Sequence, residues 1–504
     1  MSNNNSWKPK LGDKFVRRVR LKAYPLRRVL GIPGLYSVGY GNVGSSIYYA
    51  LGIVALVALG ATPIALALAG IFFIFVTLTY AEGTAMLPEA GGSASFARHA
   101  FGESVGFISG WALMLSYIVT IAISAYVIPP YLGYFWAPLK ESPFIGTAAS
   151  MGIIFLLVVM NVIGVKETSF INVTAAVLDL FVQILIISLG LLIVFNLDIL
   201  IHNIKFYWPS WESLVMGVAL AAVAYTGVET MSQMAEETKQ PAVRVPRALI
   251  LMTITVLVLF SGVSTIALSA MTPQELATEW ATDPVAGIAN AISLAITPEQ
   301  LASGLSLGQE AVIIVTWLLN GLREVLPALV AILAASILFL ATNAGLMGIS
   351  RLAFSLGRYQ LIPPQLSRVH QRFKTPYVSI MLFGIVAITI LIPGLFAPDV
   401  FVDLGALYVF GSLLSFTFAH AAIIALRVKR PDLKRPFKLG WNIKFRNREI
   451  PVTAILGFLT TAVIWLVVMY TQPIGRWVGL AWMAIGLIIY ILYKLAKISL
   501  PGQS

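Results

Sequence analysis

The stretch GYGNVGSSIYYALG, residues 39–52, lies at the beginning of a long apolar segment and decides the fold. Glycine disfavours a continuous helix, and serine hydroxyls bond backbone groups that an interrupted helix leaves free. Irregular backbone inside a bilayer is tolerated only where protein or water covers it. The stretch therefore indicates a membrane helix that is interrupted at its middle, and the interruption is a candidate site.

Composition identifies the chain as an integral membrane protein. Of its 504 residues, 58% are hydrophobic and 11% are charged, whereas about a quarter of the residues in a soluble domain are charged. The apolar segments are about twenty residues long, which suits α-helical spans and not barrel strands. The first thirty residues are basic and lack the apolar core of a cleavable signal peptide. The absence of cysteine excludes disulfides, thiolate metal sites and cysteine nucleophiles.

Hydropathy and charge predict a multi-pass protein of the plasma (inner) membrane with both termini in the cytoplasm. Basic residues cluster before the first span and after the sixth, eighth and tenth, all on the side of the N-terminus. The positive-inside rule makes that side cytoplasmic, and this placement of the cations argues against a nucleic-acid partner. The twelve predicted spans are Tyr36–Leu59, Pro63–Leu87, Ser104–Phe135, Phe144–Ile163, Ile171–Phe195, Leu214–Met234, Ala248–Ala270, Val325–Leu356, Val378–Leu395, Val400–Leu426, Pro451–Tyr470 and Trp477–Leu495.

The segment between the seventh and eighth spans does not fit a span. Its second apolar run, EAVIIVTWLLNGLREV, is interrupted by Asn320, Arg323 and Glu324 before it is long enough to cross. We expect an external insertion over about residues 272–323, with a helix that leads into the eighth span. A thirteenth span would invert every later loop and break the charge bias.

A second interruption occurs in the sixth span, at AYTGVET (Ala224–Thr230). The two interrupted spans, the first and the sixth, are five spans apart. Because five is an odd number, a second block of five spans enters the membrane from the opposite side. Inverted repeats that each begin with a broken helix are typical of secondary transporters with a midplane site. The predicted divisions are a basic cytoplasmic tail, a first repeat, a second repeat with the insertion, and a cytoplasmic loop with two helices and a short tail, at 1–33, 34–200, 201–427 and 428–504.

Each interruption offers a partner to both charges of a zwitterion. Amide N–H groups at a half-helix N-terminus favour a carboxylate, and carbonyls at the preceding half-helix C-terminus suit an ammonium group or a metal cation. Glycine and serine also occur where membrane helices pack closely. Two interruptions at matching repeat positions favour a binding site over close packing.

Several motifs, in order along the chain, resemble those of the amino acid–polyamine–organocation (APC) superfamily of permeases, from Leu30 to Leu495. They are GSSIYYALG, NVIGVKE, AYTGVETMSQMAEETKQPAVRVPRALI, SRLAFSLGRYQLIP and RPDLKRPFKLG, which begin at residues 44, 161, 224, 350 and 430. The resemblance implies an all-α membrane fold of the leucine-transporter type, a 5+5 inverted repeat plus two C-terminal helices that works by alternating access. It also implies a substrate site between spans one, three, six, eight and ten.

The same resemblance assigns substrate binding to nine residues at the two interruptions: Gly41, Asn42, Gly44, Ser45, Ser46, Val223, Tyr225, Thr226 and Gly227. N–H groups of the motif at residues 44–46 would bind a carboxylate, and carbonyls near each break would accept from the α-ammonium. Tyr225 would cover the substrate, and Glu229 would stabilise the break at Gly227.

The chain departs from the superfamily pattern at two positions. Ser46 stands where the first-span motif has its last glycine, so its hydroxyl either binds the carboxylate or narrows the pocket. Asp179 stands where several proton-coupled relatives have a lysine near the first interruption. An acid cannot replace that fixed cation, which puts the relatives' coupling scheme in doubt for this chain.

Ionisable residues at membrane depth are costly and are functional candidates. Asp179 is either a coupling site for a proton or cation, or a structural hydrogen-bonding group. The position of Glu229 beside the break favours a role in supporting the broken helix over a role in carrying a proton. Glu82 lies near the cytoplasmic end of its span, and that position favours a gate or an interface contact. Thr342 and Asn343 are either sodium ligands or helix-packing residues.

These observations predict a secondary active amino acid transporter in the lipid bilayer, coupled to a proton or sodium and without another cofactor. Transport of polyamines or other organic cations is the alternative. A non-transporting amino acid receptor is the alternative of another class, although such receptors usually carry a soluble domain and both tails here are short. The sequence contains neither a P-loop nor an H-E-x-x-H motif, so no such motif suggests an enzyme. The sequence does not fix the amino acid, the coupling ion or the oligomeric state.

Overall fold

A computed structural model describes residues 28, 30–164, 169–296, 309–373, 375–396, 400–445 and 448–499. Most of the tail predicted at 1–33 lies outside these residues. Within them, eleven helical runs are long and apolar enough to cross a membrane. The chain is therefore an all-α multi-pass membrane protein. The count of twelve spans and the division into repeats stay predictions.

The first helical run, Ile32–Met86, contains the first two predicted spans. It has 55 residues, about 80 Å if straight and more than twice the apolar thickness of a bilayer. Leu59 interrupts it with a φ of 45° and a ψ of −121°, outside the helical region. Pro63 then stands in the first turn of the next helix, where a proline is tolerated.

Nine helices lie in the described residues up to Phe206. Several begin at a proline in their first turn, and two of the nine are capped by Ser142 and Asn196, whose side chains accept hydrogen bonds from backbone N–H groups. Their bounds are α1 (Ile32–Val43), α2 (Ile47–Ala58), α3 (Thr62–Met86), α4 (Ser93–Phe101), α5 (Glu103–Leu132), α6 (Pro138–Glu141), α7 (Pro143–Ile163), α8 (Ser169–Leu189) and α9 (Leu197–Phe206).

Ten further helices and one β-hairpin follow among the described residues. The helices are α10 (Trp211–Ala221), α11 (Glu229–Gln233), α12 (Pro241–Ala270), α13 (Pro273–Thr278), α14 (Pro284–Ala295), α15 (Gln309–Arg358), α16 (Tyr377–Leu391), α17 (Val400–Lys429), α18 (Val452–Thr471) and α19 (Pro473–Ser499). The hairpin pairs β1 (Asn442–Phe445) with β2 (Arg448–Pro451) in antiparallel register, with Ile443 opposite Ile450. The hairpin was not expected from the sequence.

The apolar run at 310–325 belongs to a single 50-residue helix, α15, that continues through Pro327 to Arg358. A helix thus leads into the eighth predicted span, as the sequence indicated. The helices α13 and α14 precede it in the predicted insertion, and residues 297–308 of that insertion lie outside the described residues.

Helix α5 lies at the centre of the bundle, and its most apolar stretch of 18 residues is entirely buried. It packs against α15 and α17, and Gly411 of α17 permits the approach, because a Cβ there would lie 2.8 Å from the carbonyl oxygen of Ala112. Helices α7, α8 and α19 leave most of their apolar windows exposed, as lipid-facing helices do. The end of the bundle where α1 begins is called the N-terminal end below, and the opposite end is called the far end.

Candidate functional site at the two helix interruptions

The first interruption is a tight turn between α1 and α2. Residues Gly44–Ser46 form a 3-10 turn, and a Cβ on Gly44 would lie 2.6 Å from the Tyr40 ring. The hydroxyls of Ser45 and Ser46 both donate to the carbonyl of Asn42, at 3.1 and 3.3 Å. The N–H of Gly44 still donates to the carbonyl of Tyr40. The chain is therefore tightened here and not fully unwound.

The second interruption is an open break between α10 and α11. A 3-10 turn over Ala222–Tyr225 leads into extended backbone at Thr226 and a φ of +113° at Gly227. The Thr226 hydroxyl donates to the carbonyl of Val223 at 2.8 Å. The N–H of Gly227 donates to Oε2 of Glu229 at 3.1 Å. Glu229 thus bonds the backbone at the break, and its role in supporting the broken helix stays a prediction.

The two interruptions meet in the centre of the bundle. Nδ2 of Asn42 donates to Oγ1 of Thr230 at 2.8 Å, and a Cβ on Gly227 would lie 2.7 Å from the same Asn42 nitrogen. Oδ1 of Asn42 is buried without a hydrogen-bond partner. All nine predicted substrate-binding residues are buried. The 3-10 turn at the first interruption therefore directly faces the open break at the second.

Tyr225 has its side chain on a different face from the other predicted ligands. Its hydroxyl donates to the carbonyl of Leu66 on α3 at 2.8 Å, and its ring packs against Phe73 and Phe260. Its hydroxyl contact is with α3 and not with α1. Covering a substrate would require this side chain to leave these contacts.

Three tyrosines on α3, α5 and α17, which the sequence did not assign to the site, lie near the carboxyl group of Glu229. They are Tyr80, Tyr117 and Tyr408. Their hydroxyls are buried without a hydrogen-bond partner. Tyrosine is common in apolar helices, so no signal in the sequence distinguished these three.

Asp179 on α8 joins the two halves of the first predicted span. Its Oδ2 accepts from the hydroxyl of Tyr40 on α1 at 2.8 Å, and its Oδ1 accepts from the hydroxyl of Tyr48 on α2 at 2.6 Å. Nε2 of Gln183 also donates to Oδ2 at 2.8 Å. The carboxyl group therefore holds residues on both sides of the 3-10 turn, and it faces the first interruption as expected for either of its predicted roles.

The two candidate cation ligands on α15 have protein partners. Oγ1 of Thr342 donates to the carbonyl of Leu338 on its own helix, and Oδ1 of Asn343 accepts from Nδ2 of Asn161 at 2.5 Å. Asn343 and Gly41 also line a cavity of about 30 Å³ between α1 and α15. Asn343 thus lies near the first interruption. Across the described ranges, no group of three or more His, Cys, Asp or Glu side chains is placed to hold a metal ion.

Glu82 lies at the N-terminal end and not in the central site. Its two oxygens accept from Nε and Nη2 of Arg427, each at 2.6 Å, and Oε2 also accepts from the N–H of Leu439 at 2.8 Å. The carboxyl group connects α3 with the end of α17 and with the loop before the hairpin. This is an interface contact, one of the two roles that its position predicted.

Ion pairs link the helices around the N-terminal end. Arg351 pairs with Glu237 at 2.8 Å, and Arg358 pairs with Glu236 at 3.0 Å. Glu89, in the loop after α3, accepts from Arg98, His99 and Tyr359. Burial alone would raise the pKa of the Glu89 carboxyl, but these partners, His99 foremost, hold that pKa well below its usual range. The N–H of Leu30 donates to the carbonyl of Glu237, and the N–H of Lys239 donates to the carbonyl of Leu30. Together these contacts close the N-terminal end.

The loop after α13 closes the far end. A Cβ on Gly52 of α2 would lie within van der Waals overlap of the Ala281 carbonyl. Asp283 pairs with Lys140 at 2.8 Å, and the Lys140 ammonium lies 4.0 Å above the Trp280 ring. Burial raises the pKa of Asp283 to about 6, and the Lys140 charge limits that rise. Contacts therefore link the helices on both sides of the central site.

Known proteins resemble this chain over most of its length. Residues 30–493 match the amino acid permease family. The chain is 29% identical to the branched-chain amino acid permease BcaP of Bacillus subtilis (strain 168) over 492 residues, 93% of each chain. It is 28% identical to the methylthioribose transporter of the same organism, over 94% of this chain and 95% of the relative. It is 24% identical to the glutamate/serine transporter AimA, over 87% of this chain and 77% of the relative. The chain belongs to the amino acid permease family of the APC superfamily, and its relatives are membrane transporters and not enzymes.

Proposed function

We propose that the protein is a secondary active amino acid transporter of the plasma membrane, with both termini in the cytoplasm. The observation that carries the proposal is the direct contact between the two helix interruptions, made by Asn42 with Thr230 and by the close approach of Gly227. Two backbone breaks side by side in a buried centre present N–H and carbonyl groups to a zwitterion without an ionised side chain.

The head group of the substrate binds at the interruptions. The carboxylate takes the N–H groups of Gly44, Ser45 and Ser46, which requires the 3-10 turn to open, since the N–H of Gly44 is bonded to Tyr40 here. The ammonium takes carbonyls near Gly41, Asn42, Val223 and Thr226. The Asn42 carbonyl already accepts from the hydroxyls of Ser45 and Ser46, and the Val223 carbonyl accepts from the hydroxyl and the N–H of Thr226. Because a carbonyl oxygen has two lone pairs, the ammonium must displace one donor from each of these two oxygens.

Alternating access requires a central site that each end of the bundle can close. The ion pairs of Arg351 and Arg358 support closure at the N-terminal end, and the contact of Gly52 with Ala281 supports closure at the far end. Opening one set of contacts while the other stays closed would expose the site to one side at a time. Proton or sodium binding, with Asp179 as the first candidate for a proton, would bias this equilibrium.

Uptake by purified protein in liposomes tests the proposal. Labelled amino acids would be offered with no gradient, with an imposed pH gradient and with an imposed sodium gradient, and liposomes without protein serve as the control. We expect at least one amino acid to accumulate and one of the two gradients to increase its accumulation. Accumulation of polyamines with no amino acid transported would contradict the proposal, as would binding of an amino acid without transport.

A further inference from the structure

Hydroxyl groups from four parts of the bundle meet where the two interruptions face each other. Oγ of Ser46 lies 2.9 Å from the hydroxyl of Tyr49, and the Tyr49 hydroxyl lies beside the side chain of Ser124 on α5. The six residues of this hydroxyl cluster are Ser46, Tyr49, Thr120, Ser124, Thr226 and Tyr408. None of the six side chains carries a charge at neutral pH.

Tyr408 connects the hydroxyl cluster to the second interruption. Its hydroxyl group lies beside the side chains of Thr120 on α5 and Thr226 at the break. The Thr226 and Thr120 hydroxyls donate to backbone carbonyls, of Val223 and Ser116 respectively. The cluster thus extends from the turn at Ser46, across α5, to the break at Gly227, and it borders the place where the substrate head group is proposed to bind.

Two hydroxyls of the cluster lie beside other hydroxyls but make no hydrogen bond of good geometry with them. They are the oxygens of Ser124 and Tyr408, and both side chains are completely buried. A buried hydroxyl without a partner is costly, and native proteins keep very few of them. Unpaired groups that converge on a binding site are satisfied when a ligand with a matching polar group enters it.

We propose that the site selects an amino acid with a hydroxyl side chain, threonine or serine, over an apolar amino acid of the same shape; this rests on the proposed function. With its head group at the two interruptions, the substrate extends its side chain toward the hydroxyls of Ser124 on α5 and Tyr408 on α17. A substrate hydroxyl both donates and accepts, so it pairs with these groups. A methyl group in its place leaves them unpaired, and sites built to bond a hydroxyl reject such analogues strongly.

Two pairs of isosteric amino acids test the proposal. Threonine and valine differ by a hydroxyl in place of a methyl group, as do serine and α-aminobutyrate. Competition against a labelled transported amino acid in proteoliposomes gives the half-inhibiting concentration of each. We expect threonine and serine to inhibit at concentrations about tenfold or more below those of their apolar partners. The shift of the melting temperature of the purified protein by each amino acid provides a second measurement that does not depend on transport.

Two variants test whether the hydroxyl cluster causes the preference for threonine over valine. Ser124→Ala and Tyr408→Phe each remove one unpaired hydroxyl and keep the carbon framework, so we expect each to lower the preference of threonine over valine at least threefold. Ser412→Ala is the matched control, because the Ser412 hydroxyl donates to the Tyr408 carbonyl within its own helix. The control should keep the wild-type preference.

The outcomes separate this proposal from the proposed function. Equal or stronger inhibition by valine and α-aminobutyrate in the wild type overturns the hydroxyl selectivity while amino acid transport stands. An unchanged threonine preference in both variants overturns the assignment to Ser124 and Tyr408. Failure of every amino acid to accumulate or to shift the melting temperature overturns the proposed function itself.

Discussion

Gly227 combines an unusual backbone angle with a close neighbour. Its φ of +113° is one that other residues rarely adopt, and a Cβ would lie 2.7 Å from Nδ2 of Asn42. Backbone strain of this kind costs about 1–3 kcal/mol. We therefore expect Gly227→Ala to lower amino acid uptake about tenfold or more. Gly152→Ala is the control, since an added Cβ meets no atom within 4 Å there. Equal uptake by Gly227→Ala and the control would show that the break tolerates a side chain.

Asp179 is the residue at which coupling can be separated from transport. Asp179→Asn keeps an oxygen acceptor for Tyr40 or Tyr48 but cannot take up a proton. We expect gradient-driven accumulation to fall to the level seen without a gradient, while exchange of labelled for unlabelled substrate continues. Gln183→Leu is the control, because it removes one donor to the carboxylate and keeps the ionisable group. If gradient-driven accumulation survives Asp179→Asn, the role of Asp179 is structural.

The sequence indicated the acids of the site but not their partners. Asp179 and Glu229 were found because a carboxyl group in an apolar segment is costly to bury. Tyr40 and Tyr48 flank GSS in the opening stretch, yet their bonds to Asp179 were not expected, because tyrosine fits lipid-facing, interfacial and core positions alike. Which tyrosine reaches a carboxylate depends on the packing of α8 against α1, which involves residues more than a hundred positions apart.

At the scale of elements, the positions of the two interruptions followed from composition, but their conformations did not. Glycine and serine weaken both helices, so both sites were identified. Gly44–Ser46 nevertheless keeps a helical turn, since the two serine hydroxyls bond back to Asn42 and tighten the backbone. The second break opens fully, since Gly227 adopts positive φ and Glu229 bonds its N–H. Side-chain bonding, more than helix propensity, separates the two forms.

The loop between α17 and α18 is held by the buried carboxylate of Glu82, which lies 3.6 Å from Arg435 of that loop. Glu82 is completely buried and bonded to Arg427 and to the N–H of Leu439. Removing one partner of such a pair costs about 3–5 kcal/mol, so we expect Glu82→Gln to lower the melting temperature clearly. Glu449→Gln is the control, since Glu449 is 36% exposed and lies 3.6 Å from the same arginine. Similar melting temperatures for the two variants would mean that water reaches the Glu82 pair.

At the scale of the whole molecule, hydropathy predicted the order of the spans, because a helix must satisfy its own backbone hydrogen bonds in lipid. The weaker point was the segment before the eighth span, which has no periodicity strong enough to fix its ends. Its apolar run became the beginning of the 50-residue helix α15. The β-hairpin was missed because its strands have only four residues each, at the limit of what alternation can indicate.

We expect Asp283 to make the closure of the far end depend on pH. In the closed bundle its carboxyl group is buried beside Lys140, and its pKa is about 6. In an unfolded or open state, where water reaches the carboxyl group, its pKa returns to the ordinary value of 3.8. The closed state therefore binds a proton more tightly than the open state. The stability that protonation contributes is complete below pH 3.8, decreases as the pH rises, and is lost above about pH 6.

Thermal unfolding between pH 4.5 and 8 measures this dependence as a difference between the wild type and Asp283→Asn. Other groups titrate equally in both proteins, so the difference isolates Asp283. The wild type should gain stability relative to the variant as the pH falls through 6. Protonation weakens the ion pair with Lys140, but burial destabilises the charged carboxyl group by more than that ion pair stabilises it. Lys140→Gln removes that compensation and should move the midpoint above pH 6. A difference that grows with rising pH would show that the ion pair outweighs burial, and acid conditions would then open the far end.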